Sequence, residues 1–267
     1  MSHSPKNLDT KPAVLTISGH DPTGGAGIQA DIEVLTHFGC HPCSIISCLT
    51  VQDSSTVHRL IPLKANDFIE QAKVLFDDLP IAVIKVGLTG SVDAVKAIVK
   101  IIQLHPNIPV VFDPVLASGD GTSLANITLL DEIKNTLLPL TTVLTPNTIE
   151  AAQLSGLQHD NNEESLGKAL LNTGTNYVLI TGGHSPGAVL HNHLFFNPEK
   201  QITYEWERQS GHFHGTGCTL ASAIAALVAQ GQSIPNAVAL AQTYVNQAIK
   251  LANRVGKGQL FPNRIQQ

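Results

Sequence analysis

The chain is poor in charged and aromatic side chains. Only 14% of its 267 residues are charged and 4% are aromatic, with one tryptophan and one methionine. Lys and Arg occur singly along the chain, and the formal net charge is −5. The lack of a basic patch argues against nucleic acid or an anionic membrane as the main partner. The 43% of hydrophobic residues predict a sizeable core instead.

Long apolar segments are also lacking. The longest apolar run, Leu220–Ala229, has about half the length that a membrane span requires. Residues 1–12 are polar and contain no hydrophobic stretch of the kind found in secretion signals. We therefore expect a cytoplasmic protein with a polar tail over residues 1–12 and a single domain over residues 13–267.

Cysteine is too scarce for a disulfide framework, since a chain of this length has only four. Cys40 and Cys43 have C-x-x-C spacing, which raises a thioredoxin-like redox alternative. A redox cysteine needs exposure at the start of a helix, whereas this pair follows a predicted helix and leads into an apolar strand. A structural turn is the favoured interpretation.

Histidine is abundant, but its spacing does not indicate a zinc site. His191/His193 and His212/His214 are each two residues apart, as residues on one face of a strand would be. No third and fourth ligand follow at a recognisable spacing, so zinc is disfavoured.

Apolar, β-branched segments alternate with helical patterns along the chain. The predicted strands are Ala13–Ser18, Ser44–Leu49, Ala82–Val86, Val110–Phe112, Val143–Leu144 and Tyr177–Ile180, with an antiparallel pair at Gly187–Phe196 and Gln201–Trp206. The predicted helices are Gly27–Phe38, Asn66–Leu79, Val92–Leu104, Ile127–Leu137, Ser165–Leu171, a segment within His214–Gly231, and Ile234–Ala252. Apolar strands that are each followed by a helix predict a three-layer α/β/α sandwich with a mostly parallel central sheet.

Polar and glycine-rich loops follow the predicted strands, at the edge of the sheet where ligands bind in such folds. They are Ser18–Gly27, Asp113-Pro114, Thr145–Glu150, Thr181–His184 and His214–Cys218. The glycines of the first loop do not form G-x-G-x-x-G, so a dinucleotide fold is disfavoured. No G-x-x-x-x-G-K-[ST] motif is present, which excludes a P-loop enzyme.

An anion site at the start of a helix is the remaining interpretation of the glycines in the last loop. The backbone N–H groups of Gly215, Thr216, Gly217 and Cys218, together with the helix dipole, would stabilise a phosphoryl group during transfer. Because helix N-termini lower the pKa of thiols, we expect Cys218 to be partly thiolate and to take a proton from an attacking hydroxyl. The alternative is a small buried residue that fills the first turn.

Acidic residues near this loop favour magnesium. Asp113 ends a buried strand, and Asn147 and Glu150 are three residues apart, which places them on one helix face. Magnesium accepts oxygen ligands, keeps several waters and bridges to phosphate. Helix capping remains an equal interpretation of Asn147.

Seven motifs, in order, give the chain a resemblance that covers residues from Ala13 to the last helix. They are SGHDPTGGAGIQADIEVLTHFG, LTVQD, KVGL, FDPV, LTPNTIEA, TGGH and HGTGCTLASAIAA. With these motifs the chain resembles the hydroxymethylpyrimidine and phosphomethylpyrimidine kinases of thiamine synthesis, in the ribokinase superfamily. A cysteine in GTGC, where most ribokinase relatives have aspartate, makes this resemblance more specific.

The resemblance implies ATP-dependent phosphorylation of the hydroxymethyl group of the pyrimidine and then of the resulting monophosphate, by a homodimer. It implies that Gln52 hydrogen-bonds the aminopyrimidine ring, and that Gly19, Asp31 and Leu88 line the same pocket. It also implies that Asp113 and Glu150 place magnesium. Asp31 is open to a second interpretation, as an ordinary polar position of the first helix.

Three positions depart from the family pattern. The flap after FDPV, Val115–Asp120, is shorter than usual, and it would exclude water less completely. Thr181 stands where relatives often have a lysine that would bind phosphate. Leu88 stands where methionine is common, which is a volume-conserving change.

Two alternative functions remain open from the sequence. A pyridoxal or pyridoxine kinase would share the fold and a similar substrate shape, although LTVQD favours the pyrimidine. A non-catalytic ligand-binding protein on a decayed kinase scaffold is suggested by the short flap and Thr181. The presence of Asp113, Glu150 and Cys218 argues against this second alternative.

Overall fold

The computed structural model describes residues 11–119, 121–158, 162–183, 187–197 and 200–265. Most of the predicted tail, His184, Pro198 and Asp120 at the end of the predicted flap lie outside these residues. In the part of the chain that is described, no helix is long and apolar enough to cross a membrane.

Nine strands form the sheet. They are β1 (Ala13–His20), β2 (His41–Gln52), β3 (Val57–Pro62), β4 (Ile81–Val86), β5 (Val110–Phe112), β6 (Val143–Leu144), β7 (Tyr177–Thr181), β8 (Val189–Asn197) and β9 (Lys200–Glu207). Their order is β3-β2-β1-β4-β5-β6-β7-β8-β9. The six strands from β2 to β7 in this order pair in parallel, whereas β3, β8 and β9 are antiparallel to their neighbours.

Helices cover both faces of this sheet. They are α1 (Gly27–His37), α2 (Ala65–Asp78), α3 (Val92–Leu104), α4 (Ile127–Glu132), α5 (Thr148–Ser155), α6 (Glu163–Leu171), α7 (Thr216–Ala229) and α8 (Ile234–Lys250). A π-helical turn, Ile133–Leu137, continues α4. The predicted three-layer α/β/α sandwich is therefore confirmed.

Side chains that alternate along the central strands build a separate core on each face. Leu15 and Ile17 pack with the layer that contains α2 to α6, whereas Val14 packs with the layer that contains α1, α7 and α8. Strands buried on both faces must be apolar at nearly every position, which is why these strands were recognisable in the sequence. A polar residue inside such a strand, like Lys85 in β4, therefore needs a partner in the helix layer.

Two elements are missing from the predicted set: α5, of which only Asn147 and Glu150 were treated as helical, and the edge strand β3. Its residues are mostly half-buried or exposed and pair with only one neighbour, so they lack the apolar pattern of the central strands. Cys40 and Cys43 are buried free thiols at the start of β2, where burial raises the pKa of both. This agrees with a structural turn and not with a redox site. His191 and His193 share one face of β8, and the described residues contain no group of three or more His, Cys, Asp or Glu side chains that could hold a metal ion.

Candidate active site

An open cleft of about 1010 Å³ lies at the edge of the sheet where the parallel strands end. It brings together loops that are far apart in sequence. The predicted site residues on its lining are Gly19, Gln52, Leu88, Asp113, Asn147, Glu150, Thr181, Gly215, Thr216, Gly217 and Cys218. Asp31 is the one predicted site residue that does not line it.

The start of α7 forms one wall of this cleft. Gly215 caps the helix with φ of 73°, a left-handed conformation that favours glycine. A Cβ on Gly215 would also overlap the Gly25 carbonyl, so the two glycine-rich loops touch here through their backbones. The first N–H groups of a helix have no partner within it, and residues 215–218 line the cleft, where a Cβ on Gly217 would lie 3.5 Å from Asp113 Oδ1.

Cys218 lies in the first turn of α7 and is buried. Burial raises the pKa of its thiol, the nearby Asp113 carboxylate raises it further, and Lys85 and the Gly27 N–H oppose them without reversing the shift. The expectation of a lowered pKa is therefore wrong for the protein without ligands. Desolvation and a neighbouring carboxylate outweigh the effect of the helix dipole.

Asp113 and Glu150 lie close together on the floor of the cleft. Burial raises the pKa of Asp113, against the influence of Lys85 and of a hydrogen bond from Cys218. Burial and the Asp113 charge raise the pKa of Glu150 to about 8, even though two backbone N–H groups donate to its carboxylate. Two carboxyl groups with raised pKa values in one buried place are typical of a site that takes a cation.

Asn147 caps α5 in a capping box, in which its side chain accepts from the Glu150 N–H at 2.9 Å and Glu150 accepts from the Asn147 N–H at 2.9 Å. The capping interpretation of Asn147 is therefore confirmed, and Glu150 shares that structural role. Thr181 ends β7 beside this cap, and its N–H donates to the Pro146 carbonyl.

Three buried side-chain atoms in the described residues have no hydrogen-bond partner. They are Ser18 Oγ, Asp113 Oδ2 and Thr216 Oγ1, and all three residues line the cleft. Buried polar groups are nearly always paired, so orphaned groups gathered in one place indicate a position that a polar ligand fills. This cluster is the strongest single indication of where the chemistry takes place.

The predicted pyrimidine pocket lies on the β1 side of the cleft. Gly19 leaves little room there, since a Cβ would lie 3.0 Å from the Leu88 side chain. Gln52, at the end of β2, hydrogen-bonds Asp21. Gly19 and Leu88 thus lie side by side, and Gln52 bonds the loop that follows Gly19. That these three residues hold a pyrimidine stays a prediction.

Asp31 lies beneath the floor of the cleft and not on its lining. Its carboxylate accepts hydrogen bonds from Lys85, at 2.8 Å, and from Thr16 and Ser222. The side chains of Asp31 and Lys85 are fully buried. Asp31 on α1 neutralises the buried Lys85 of β4, and its side chain therefore points away from the cleft.

Sequence reasoning missed a group of residues that joins the two glycine-rich loops. The Asp21 carboxylate accepts from the N–H of Thr23 and of Ala26, both at 2.8 Å, and faces His214 Nε2 at 2.9 Å. Burial opposes its ionisation, but hydrogen bonds from His214, Gln52 and Thr23 hold the pKa of Asp21 well below its usual value. The sequence analysis placed His214 in a histidine pair and in the loop His214–Cys218, but it did not indicate Asp21 as a partner, because the two residues lie 193 positions apart.

The far end of the cleft carries the only tryptophan of the chain. Trp206 Nε1 donates to Gln242 Oε1 at 3.0 Å, and Asn192 Nδ2 donates to the same oxygen at 2.8 Å. Asn192 in turn accepts from the Gly182 N–H in the loop after β7. This end is bordered by apolar side chains of α8, and the sequence alone did not indicate it.

Magnesium fits the acidic floor of the cleft. Magnesium in kinase sites is bound by one or two carboxylates, with phosphates and water as the other ligands. Asp113 and Glu150 provide two carboxylates, and the orphaned Asp113 Oδ2 is a free oxygen ligand. A magnesium ion held in this way needs no third protein ligand, because phosphates and water complete its coordination.

The α/β/α fold, the helix start that borders the cleft and the adjacent acids together define a small-molecule kinase. The chain belongs to the phosphomethylpyrimidine kinase family, whose model matches residues 21–263. It is 36% identical to a hydroxymethylpyrimidine/phosphomethylpyrimidine kinase of Streptomyces coelicolor over 93% of each chain.

Two solved structures share the fold of this chain. The structure of a phosphomethylpyrimidine kinase from Clostridium difficile covers 90% of this chain and all of its own, with a TM-score of 0.79 and 30% identity. An ADP complex of Bacillus subtilis pyridoxal kinase covers 96% of this chain and 98% of its own, with a TM-score of 0.87 and 27% identity.

Proposed function

We propose that the protein transfers the γ-phosphoryl group of ATP to 4-amino-5-hydroxymethyl-2-methylpyrimidine and then to the resulting monophosphate, in thiamine biosynthesis. The single observation that supports this proposal most is the set of three orphaned polar atoms, Ser18 Oγ, Asp113 Oδ2 and Thr216 Oγ1, in residues that line the cleft. The family membership and the names of the relatives support the substrate class.

In the first transfer, the hydroxymethyl oxygen forms a bond to the γ-phosphorus as the bond from that phosphorus to ADP breaks. The N–H groups of residues 215–218 stabilise the negative charge on the phosphoryl oxygens. Cys218 receives the hydroxyl proton as the general base. Only the Cys218 thiolate can accept this proton, and because burial and Asp113 raise the pKa of the thiol, the nearby negative charge must be compensated before the transfer.

Asp113 and Glu150 would hold Mg²⁺ together with phosphate oxygens. When bound, the ion would supply positive charge that neutralises the phosphoryl oxygens and offsets the effect of Asp113 on the thiol. Asn147 and Thr181 lie on the phosphate side of the cleft, where we assign them a secondary role in nucleotide or phosphate binding. Gln52, Gly19 and Leu88 hold the pyrimidine, with the Gln52 amide as its polar contact.

Removal of one magnesium ligand tests this assignment. We expect Asp113→Asn to lower kcat about 10²-fold or more, because the amide no longer neutralises the cation. We also expect the magnesium concentration for half-maximal rate to rise about 10- to 100-fold. A titration of the rate with MgCl₂ measures both effects. An unchanged magnesium requirement would remove Asp113 from the metal site.

A pyridoxal kinase activity is the second candidate, because a pyridoxal kinase superimposes on the chain over 96% of its length. The deciding experiment measures ADP production with ATP and magnesium, using hydroxymethylpyrimidine, its monophosphate and pyridoxal in parallel. We expect turnover of both pyrimidines at a much higher kcat/KM than that of pyridoxal. Turnover of pyridoxal alone would overturn the proposal, and thermal stabilisation by the pyrimidine without ADP release would indicate a non-catalytic relative.

We further propose that residues 13–267 act as one catalytic domain in a cytoplasmic homodimer. The edge strand β3 supports a dimer, since it is half exposed and pairs with only β2 among the described strands. Size-exclusion chromatography with light scattering measures the mass in solution, and a monomer of 28.4 kDa would contradict this part of the proposal.

A further inference from the structure

The segment of residues 253–264, here named the C-terminal strap, runs along the loop that precedes α7. The Leu260 N–H donates to the His212 carbonyl at 2.8 Å, and the His214 N–H donates to the Leu260 carbonyl at 2.8 Å. The Asn263 N–H donates to the Ala248 carbonyl, which ties the strap to α8. The strap therefore has a fixed position beside the proposed anion site.

The strap ends in a buried arginine, Arg264, which is 3% exposed. Its Nη1 donates to the Gly24 carbonyl at 3.3 Å and to Glu33 Oε2 at 3.1 Å, and its Nη2 donates to the Gly25 carbonyl. Its Nε donates to Thr219 Oγ1 at 2.9 Å. One guanidinium group thus joins the loop before α1 to the first turn of α7.

The contact extends to the helix start itself. Thr219 Oγ1 accepts from Arg264 and donates to the Gly215 carbonyl at 2.7 Å. A Cβ on Gly215 would lie 2.8 Å from Arg264 Nη2 and would overlap the Gly25 carbonyl, so no free space separates these groups. A displacement of the guanidinium towards α7 must therefore move Gly25, Gly215 or both, and a displacement away from α7 breaks its bonds to Gly25 and Thr219.

We propose that Arg264 is a positioning residue for phosphoryl transfer. Its guanidinium holds the Gly24-Gly25 backbone against Thr219, and this contact sets the direction of the N–H groups of residues 215–218. The planar fork of an arginine donates in several directions at once, whereas a lysine ammonium is a point charge. The kinetic part of this inference rests on the proposed function, but the anion site that it describes does not depend on the pyrimidine.

The test compares Arg264→Lys and Arg264→Met with Arg254→Met as the matched control. Arg254 is an exposed arginine of the same strap, and its side chain donates to the Gly258 carbonyl. Three quantities are measured for each variant: the Tm, the kcat and KM for the pyrimidine, and the Kd of magnesium-ADP with and without aluminium fluoride. Aluminium fluoride mimics the phosphoryl group in flight, and its binding reports on the anion site without turnover.

We expect both Arg264 variants to lose about 10²-fold in kcat, because an error of about 1 Å in a reacting geometry has an effect of that size. The KM for the pyrimidine and the Kd of magnesium-ADP alone should remain within about twofold, since the ground-state contacts lie elsewhere. The gain in ADP affinity from aluminium fluoride should fall by a factor similar to the loss of kcat. Arg254→Met should match the wild type in all three quantities.

A merely structural role predicts a different result. If Arg264→Lys or Arg264→Met melts earlier but keeps wild-type kcat well below its Tm, the positioning role is overturned. It is also overturned if aluminium fluoride strengthens ADP binding equally in the wild type and both variants, or in none of them. If the wild type fails to phosphorylate the pyrimidine while aluminium fluoride still strengthens ADP binding through Arg264, the proposed substrate is wrong and the role of Arg264 stands.

Discussion

Two groups of buried and partly buried polar residues flank the start of α7, and they differ in how completely they are paired. The loop clasp consists of Asp21, His214 and Arg264, and hydrogen bonds join it to both glycine-rich loops. The reaction floor consists of Ser18, Asp113, Glu150 and Thr216, and it contains the three orphaned atoms of the described residues.

The difference in pairing has opposite effects on the acids of the two groups. Hydrogen bonds hold the pKa of Asp21 in the loop clasp below its usual value, whereas burial raises the pKa of Asp113 and Glu150 on the reaction floor. A paired network stabilises one geometry, while an unpaired one has an electrostatic cost that a ligand removes. We infer that the loop clasp is complete before substrate binds and that the reaction floor is completed by substrate and cation.

The largest expected effect concerns the proposed base on the edge of the reaction floor. Cys218→Ala should lower kcat for the hydroxymethylpyrimidine by about 10²–10⁴-fold and leave its KM similar. The kcat of the second phosphorylation should fall less, because the attacking phosphate monoester, with a second pKa near 6, is already ionised at neutral pH and needs no base. Steady-state kinetics on both pyrimidines measure the difference.

Cys40→Ala is the matched control, since Cys40 is a buried free thiol at the far end of α1. It should leave both kinetic constants unchanged. If Cys218→Ala keeps nearly full turnover in the first step, Cys218 serves only to begin the helix.

The next effect concerns the stability of the loop clasp. Asp21→Ala should lower the free energy of unfolding by roughly 3 kcal/mol, because it removes a buried carboxylate and leaves the partly buried N–H groups of Thr23 and Ala26 without an acceptor. Urea denaturation of the protein without ligands measures the change.

Asp53→Ala is a close control for this prediction. Asp53 also accepts from two backbone N–H groups and a histidine, but its side chain is 60% exposed, so water replaces the lost bonds. It should lower the stability much less than Asp21→Ala does. Equal losses in the two variants would contradict the view that burial makes the loop clasp rigid.

A smaller effect is expected in the pH dependence of stability. The pKa of Glu150 rises from 4.5 in the unfolded chain to about 8 in the folded protein, so the folded state binds the proton more tightly. The stability linked to this proton is complete below pH 4.5 and is lost as the pH rises to about 8. Glu150→Gln should therefore reduce the loss of stability between pH 5 and pH 8, by on the order of 2 kcal/mol.

Glu164→Gln provides the comparison, because the Glu164 pKa is lowered by an exposed lysine and its side chain lies in solvent. Denaturation at several pH values should give this variant the profile of the wild type. If the stability of Glu150→Gln depends on pH in the same way as that of the wild type, ionisation of Glu150 has no cost in the folded protein.

The smallest expected effect concerns the orphaned hydroxyl of Thr216. Thr216→Val should change the free energy of unfolding by less than about 0.5 kcal/mol or increase it slightly, since it removes an unpaired group without changing the shape. Thr219→Val should instead lower stability by about 1 kcal/mol, because Thr219 bonds both Arg264 and Gly215. Thermal denaturation of both variants beside the wild type measures these changes. A larger loss for Thr216→Val would contradict the assignment of its hydroxyl to a ligand.

The sequence by itself determined the layers of the fold and the approximate place of the site. Central strands were recognisable because burial on both faces demands apolar residues, and β5 and β6 have the bounds that the pattern predicted. Residues such as Asp113 and Gly215 could be assigned to the cleft because every parallel strand ends at the same edge of the sheet. These inferences need only local pattern and the topology of parallel strands.

Only the tertiary structure decided how the site residues affect one another. The pKa of Cys218 rises because of burial and Asp113, and Asp31 faces Lys85 instead of the cleft. Arg264 donates to the Gly24 carbonyl although the two residues lie 240 positions apart, and no local motif predicts this hydrogen bond. Charge, burial and hydrogen bonding depend on distances in space, and a one-dimensional pattern does not contain the distance between groups that are far apart along the chain.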